Sequence, residues 1–207
     1  MKIRNQEIKE VETFIAGNEK NPQKVIILLH GRGGTGKDMM NLVKHFYNEK
    51  NLYVAPSAPN RQWYPESFLQ PISANQPHLN KSLQITNDYV KKYFAKVGYE
   101  NIYLVGFSQG ACLSTQYVAS NPRKYGGVFA LSGGLIGQEI PSFSGDLQNT
   151  LVFLGCSNVD RYIPKGRVDE TAKIMESLNA KVDKRIYPGM AHTINQEELD
   201  ELKKHIG

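Results

Sequence analysis

Short apolar runs alternate with helical patterns along most of this chain, and that alternation restricts the folds it can adopt. Residues 25–29 read VIILL and contain no polar side chain, which is typical of a strand covered on both faces. The other predicted strands are residues 52–55, 101–105, 127–131, 150–154 and 182–187. The predicted helices are residues 37–49, 80–97, 109–120, 166–179 and 195–205. The pattern predicts an α/β fold with a mostly parallel sheet and helices on both faces.

Two segments fall outside this alternation. Residues 2–15 are predicted to add an antiparallel hairpin at the edge of the sheet. Residues 56–80 contain five prolines and the aromatic residues Trp63 and Tyr64, but they show no periodic pattern. A loop of this length in a compact domain is usually functional or disordered, and the aromatic residues favour an ordered loop over a pocket.

The length and hydrophobicity of the chain limit its class. With 207 residues, of which 40% are hydrophobic and 22% charged, we expect residues 1–207 to form a single domain. No apolar run approaches the ~20 residues of a membrane-spanning helix, and the N-terminus lacks the apolar core of a signal peptide. We therefore expect a cytoplasmic protein without membrane insertion.

The charge and the cysteines argue against other classes of function. The net charge of +5 is not concentrated in any block of Lys and Arg, so we expect no nucleic-acid partner. Cys112 and Cys156 are too few for a disulfide framework, and their spacing fits no zinc site. We expect two buried thiols, and we expect that no metal ion or other cofactor is required.

Residues 106–110 read GFSQG and match the G-x-S-x-G pattern of a nucleophile elbow. They lie between a predicted strand and a predicted helix, where this motif places a serine at a sharp turn. The two glycines permit the turn without Cβ clashes, and the helix N-terminus favours negative charge beside the serine. The pattern predicts Ser108 as a nucleophile and the backbone N–H of Gln109 as an oxyanion-hole donor. The alternative is an ordinary glycine-containing turn.

Residues 31–38, GRGGTGKD, nearly match a different motif, the phosphate-binding P-loop. A P-loop carries Ser or Thr after its lysine to reach Mg²⁺, whereas Asp38 follows Lys37 here and would repel phosphate. Nucleotide binding is therefore a minor alternative. The glycines also suit a loop that approaches a tetrahedral reaction intermediate, with His30 as a structural histidine rather than a base.

A catalytic triad on an elbow of this kind follows the chain order Ser, then Asp or Glu, then His. His192 lies in a loop after the last predicted strand, whereas His205 is at the end of the last helix. Asp160 lies in the loop after the strand at 150–154 and would hold the imidazole of His192 in the correct tautomer. The other aspartates between Ser108 and His192 precede that strand or lie within a predicted helix or strand: Asp146, Asp169 and Asp183.

Together these landmarks resemble the phospholipase/carboxylesterase family of small α/β-hydrolases, which also contains the acyl-protein thioesterases. The resemblance runs from residue 25 to the C-terminus. Its motifs are LHGRGG at 29–34, the Ala-Pro repeat at 55–59, Trp63, GFSQG at 106–110, LSG at 131–133, Asp160 with Ile163 and Pro164, and YPGMAH at 187–192. It implies an α/β-hydrolase fold, Ser108, Asp160 and His192 as the catalytic triad, and the backbone N–H groups of Arg32 and Gln109 as the oxyanion hole.

The chain departs from the thioesterase members at three places. Arg32 replaces a leucine, Ala111 replaces a glycine, and residues 64–68 read YPESF in place of a pattern of tryptophan and an acid. These departures favour a serine carboxylesterase of small-molecule esters, with Trp63 either lining the substrate pocket or anchoring its loop. The alternatives are an acyl thioesterase or lysophospholipase with the same triad, and a non-catalytic protein on this scaffold. We expect a monomer or a homodimer.

Overall fold

The computed structural model describes residues 1–8 and 11–207 of the chain. Its strands are β1 (Ile3–Ile8), β2 (Val11–Gly17), β3 (Val25–Leu29), β4 (Leu52–Pro56), β5 (Ile102–Phe107), β6 (Gly127–Leu131), β7 (Leu151–Ser157) and β8 (Lys181–Tyr187). Its α-helices are α1 (Gly36–Val43), α2 (His78–Val97), α3 (Gln109–Ser120), α4 (Lys165–Ser177) and α5 (Gln196–Ile206). In the described part of the chain the strands form one sheet in the order β1-β2-β4-β3-β5-β6-β7-β8. β2 pairs antiparallel with β1 and β4, and the remaining neighbours pair parallel.

Helices cover both faces of the sheet, and strand β3 shows the consequence for the sequence. Val25, Ile27 and Leu29 belong to a core cluster that includes residues of α2, α3 and α4. Ile26 and Leu28 belong to a second cluster, which includes residues of α1 and α5. Because both sets of side chains are buried, the strand has no alternation of polar and apolar residues. The predicted α/β fold with a mostly parallel sheet is confirmed.

The parallel strands bring the loops of interest to one edge of the sheet. Loops that follow β3, β5, β7 and β8 all begin at the carboxyl ends of parallel strands. Ligand sites of open α/β sheets lie outside this edge. These loops carry, in chain order, His30 with Arg32, then Ser108, Asp160 and His192.

Helix α1 is shorter than the prediction of residues 37–49, because it ends at Val43. The next backbone N–H groups donate to carbonyls three residues earlier, which is the tighter spacing of a 3₁₀ turn. Phe46, in this turn, is buried in the core beside Tyr53, and its carbonyl accepts a hydrogen bond from the Tyr53 hydroxyl. The chain therefore turns towards β4 earlier than the helical pattern indicates.

The predicted edge hairpin is confirmed, since β1 and β2 pair antiparallel with Ile3 opposite Ala16. Its connecting residues 9 and 10 lie outside the described residues. Strands β5 and β7 continue beyond their predicted ends, to Phe107 and Ser157. Among the described helices, none combines the length and the apolar character needed to span a membrane.

Candidate active site

Ser108 occupies a strained turn between β5 and α3. Its backbone has φ 54° and ψ −116°, in a region that residues with a side chain rarely adopt. A Cβ atom on Gly106 would overlap the carbonyl group of Gly110, and one on Gly110 would overlap the carbonyl group of Leu29. Glycine is therefore required on both sides of the serine, and the turn has the form of the predicted nucleophile elbow.

The three side chains predicted as a triad lie in a continuous hydrogen-bonded series. His192 Nε2 is 2.9 Å from Ser108 Oγ, and His192 Nδ1 is 2.7 Å from Asp160 Oδ2. The side chain of Asp160 is fully buried, whereas that of His192 is 18% exposed. The structure thus brings together residues that are 84 and 32 positions apart in the chain.

The Asp160 carboxylate is held by more than the histidine. Its Oδ1 atom accepts hydrogen bonds from the backbone N–H groups of Tyr162, at 2.8 Å, and Ile163, at 3.0 Å. Burial opposes ionisation, but the hydrogen bonds from His192 and from these two N–H groups outweigh it and lower the pKa of Asp160 below its usual value. A carboxylate in this state orients an Nδ1–H of the imidazole.

The imidazole of His192 lies between two aromatic rings. The ring of Phe107, at the end of β5, is 5.1 Å from it, and the ring of Tyr162 meets it edge-on at 5.0 Å. Asn158 adds a link between loops, because its side chain accepts a hydrogen bond from the backbone N–H of Gly189 at 2.8 Å. The aspartate loop and the histidine loop are therefore fastened to each other as well as to the sheet.

The loop after β3 passes directly beside the elbow. A Cβ atom on Gly31 would lie 3.2 Å from Cβ of Ser108 and 3.2 Å from the ring of Phe107. Within the described residues, the backbone N–H groups of Arg32 and Gln109 donate to no protein acceptor. The structure therefore places two available backbone donors on the two segments that flank Ser108.

Asp38, in the P-loop-like segment, and His30, just before it, both have structural partners. The Asp38 carboxylate accepts hydrogen bonds from the backbone N–H and the hydroxyl of Thr35, both at 2.8 Å, and completes a capping box at the start of α1. His30 uses both ring nitrogens on the backbone: Nδ1 is 2.7 Å from the Gly31 carbonyl, and Nε2 accepts from the Ala58 N–H at 2.9 Å. Burial lowers the pKa of His30, which favours its neutral form.

A cavity of about 550 Å³ opens beside Ser108. The long loop predicted to lie over a pocket forms one wall, and the aspartate loop forms another. The lining residues are Arg32, Tyr64, Pro65, Ser67, Phe68, Ser108, Gln109, Cys112, Tyr162, Ile163 and His192. The sequence signals for this wall were weak, since Tyr64 was noted as one of two aromatic residues in the long loop and Phe68 only as part of a departure from the thioesterase pattern.

Trp63, predicted either to line the pocket or to anchor its loop, does not line this cavity. Its side chain is 1% exposed and its indole N–H donates to the His30 carbonyl at 2.9 Å. Its backbone N–H donates to Oε1 of Gln109, also at 2.9 Å. These contacts are those of an anchor, because they satisfy the indole and backbone N–H groups of a buried residue that is not part of the cavity lining.

Cys112, in the first turn of α3, lines the cavity, and its backbone N–H donates to the Ser108 carbonyl. It is buried, and burial raises the pKa of its thiol to about 11, so the thiol stays protonated near neutral pH. Both cysteines are buried, as predicted. Among the described residues, no three His, Cys, Asp or Glu side chains form a group that could hold a metal ion.

Comparison with known proteins identifies the family. The model of the phospholipase/carboxylesterase family matches residues 11–207. The chain belongs to this family. A crystal structure of a phospholipase/carboxylesterase from Dyadobacter fermentans is 40% identical, covers 93% of this chain and 94% of its own, and superposes with a TM-score of 0.90.

More distant relatives carry related names. Acyl-protein thioesterase 1 of Kluyveromyces lactis is 28% identical, with 91% of this chain and 92% of that protein aligned. The carboxylesterase of Bacillus cereus, at 16% identity and a TM-score of 0.79, shows the fold over 95% of this chain and 93% of its own. As a member of this family, the chain is an enzyme of the carboxylic ester hydrolase class.

Proposed function

We propose that residues 1–207 form a single-domain serine carboxylesterase that hydrolyses small carboxylic esters through an acyl-enzyme. The observation that carries the proposal is the hydrogen-bonded series of Ser108, His192 and Asp160 at the mouth of a cavity. An imidazole between a serine hydroxyl and a buried carboxylate is the arrangement that activates a serine for attack on a carbonyl.

The first half of the reaction acylates the serine. Ser108 Oγ attacks the ester carbonyl carbon while His192 Nε2 takes its proton, and Asp160 stabilises the imidazolium that forms. The carbonyl oxygen becomes an oxyanion, which the backbone N–H groups of Arg32 and Gln109 and the N-terminus of α3 are placed to stabilise. The C–O bond to the alcohol then breaks, and His192 returns its proton to the leaving oxygen.

The second half releases the acid. Water attacks the acyl carbon while His192 again accepts a proton, the same donors hold the second oxyanion, and the bond to Ser108 Oγ breaks as that oxygen is reprotonated. Each step uses groups of this chain and water. The prediction that no cofactor is needed is part of the proposal.

The preference for small esters is supported by the cavity. Its volume of about 550 Å³ is in the ordinary range for small-molecule sites, and Tyr64, Phe68 and Ile163 contribute its bulky walls. We also propose that the substrates are small-molecule esters and that the enzyme is a cytoplasmic monomer or homodimer.

A second candidate is thioester hydrolysis by the same residues. It is favoured by the relatives named acyl-protein thioesterase 1, one of which aligns with nine-tenths of this chain. A thioester differs from an ester in its leaving group, so the triad and the oxyanion donors would serve both reactions.

The test has two parts. A fluorophosphonate probe should form one adduct, and peptide mass spectrometry should find it on Ser108. Ester and thioester pairs with the same acyl group, from two to sixteen carbons, should then show the higher kcat/KM on short esters. An adduct on another serine would overturn the proposed mechanism, and a preference for long-chain thioesters would establish the second candidate instead.

A further inference from the structure

The guanidinium group of Arg32 is surrounded by acceptors from one short segment. Nη1 donates to the side-chain Oε1 of Gln62 at 2.9 Å and to the Pro65 carbonyl at 2.6 Å. Nη2 donates to the Tyr64 carbonyl at 3.0 Å and to the Glu66 carbonyl at 2.7 Å. Three consecutive backbone carbonyls thus point at one side chain.

This arrangement occupies four of the five N–H donors of the guanidinium. A planar fork can satisfy several fixed acceptors at once, whereas a lysine ammonium offers a single point of charge. With both terminal nitrogens occupied, Arg32 has no pair of donors left for a substrate carboxylate. The guanidinium therefore binds a loop of the protein and is not available to bind a substrate.

The side chain of Gln109 binds the same segment. Its Nε2 donates to the Tyr64 carbonyl at 2.8 Å, and its Oε1 accepts from the Trp63 N–H at 2.9 Å. The Tyr64 carbonyl therefore receives hydrogen bonds from the side chains of both Arg32 and Gln109. These are the two residues whose backbone N–H groups are placed to hold the oxyanion.

We propose that Arg32 is a positioning residue, which couples residues 62–66, of which Tyr64 and Pro65 line the cavity, to the oxyanion donors through the Tyr64 carbonyl. This inference rests on the proposed function, because it assigns a role to the groups around that mechanism. The guanidinium fixes the loop that carries its own backbone N–H against a wall that Gln109 also holds. The Tyr64 carbonyl accepts from both side chains, and it thereby fixes the positions of the two backbone N–H donors relative to each other and to the cavity wall.

The contacts of Arg32 also favour substrates with a neutral acyl group over substrates with an anionic one. Among the residues that line the cavity, Arg32 is the one permanent cation, and its terminal nitrogens are occupied. Tyr64, Pro65 and Phe68 present apolar surface beside it. The wall therefore suits a neutral acyl group, because it has no free cationic donor to pair with an anionic one.

The experiment compares Arg32→Met and Arg32→Lys with Arg61→Met. Arg61 lies in the same proline-rich loop, and its exposed side chain makes no hydrogen bond or ion pair within the described residues, so its replacement removes one charge nearby without removing the fork. The substrates are p-nitrophenyl butyrate and a p-nitrophenyl ester with a carboxylate on its acyl chain. Fluorophosphonate labelling of Ser108 and circular dichroism accompany every variant.

Arg32→Met should lower kcat on the neutral ester about 10²-fold, because a misplacement of about 1 Å has that effect on oriented groups. Arg32→Lys should recover less than about a tenth of the loss, since it keeps the charge and lacks the fork. Arg61→Met should match the parent enzyme. In a double-mutant cycle, the fold-loss in kcat of the variant that carries both Arg32→Met and Gln109→Met should be smaller than the product of the two single-variant losses. Both side chains act on the Tyr64 carbonyl, so their effects are not independent.

Three results would overturn the inference: unchanged kcat in Arg32→Met, full recovery in Arg32→Lys, or a loss confined to KM for the anionic ester. The last result would make Arg32 a substrate contact. If Arg32→Met unfolds below the assay temperature, the kcat values of Arg32→Lys and Gln109→Met, compared with that of the parent enzyme, decide whether Arg32 is a positioning residue. A parent enzyme without esterase activity would instead refute the proposed function, which keeps the two failures distinct.

Discussion

Replacement of Asp160 by asparagine gives the sharpest test of the proposed mechanism. The Asp160 Oδ1 atom accepts from two backbone N–H groups, so the amide oxygen of an asparagine would remain at that position. Its NH₂ group would then face Nδ1 of His192, where Oδ2 now lies at 2.7 Å. Two donors cannot share that contact, and the imidazole would respond by moving its proton to Nε2.

This tautomer presents an N–H to Ser108 and cannot accept the serine proton. We therefore expect Asp160→Asn to keep the fold and to lose on the order of 10⁴ in kcat, equivalent to about 5 kcal/mol of transition-state stabilisation. Stopped-flow release of p-nitrophenol measures acylation directly, and the melting temperature checks the fold.

Asp146→Asn and Asp169→Asn are the matched controls. Asp146 binds the backbone N–H of Gln148 and the side chain of Asn179, and Asp169 pairs with Lys165 and Lys184. Both variants should stay within a few-fold of the parent rate. Loss of activity in either of them, together with an active Asp160→Asn enzyme, would show that the acid of the mechanism is elsewhere.

Three further predictions concern the serine, the exposed aromatic ring and a buried acid. Ser108→Ala should lower kcat by roughly 10³–10⁶ without unfolding, and turnover near that of the parent would contradict its role as nucleophile. Tyr162→Ala should lower kcat about two- to tenfold because its ring, 5.0 Å from the imidazole, is lost, whereas Tyr162→Phe should retain activity. Glu198 is fully buried, and burial raises its pKa to about 7, so the folded state binds its proton more tightly than the unfolded state. The free energy of unfolding should therefore fall as pH rises from about 4.5 through about 7, by on the order of 3 kcal/mol more than in Glu198→Gln; equal pH profiles in urea titrations would refute this.

Much of the fold was predictable because its signals are local. The uninterrupted run of β3 reflects burial on both faces, and the glycines around Ser108 reflect a turn in which no Cβ fits. Asp160 and His192 could be proposed as partners of Ser108 because strand order places the loops after parallel strands at one edge. Each of these inferences needs only neighbouring residues or the order of elements along the chain.

The tertiary structure decided the wall of the cavity and the end of α1. Trp63 and Tyr64 are adjacent aromatic residues of one loop, and Trp63 was the predicted candidate for the substrate pocket, yet its indole donates to the His30 carbonyl and Tyr64 lines the cavity. The role of Arg32 depends on carbonyls more than thirty residues away, and no local pattern records where those carbonyls point. Periodicity and turn chemistry are properties of adjacent residues, whereas a cavity wall is made by contacts between segments that are distant in the chain.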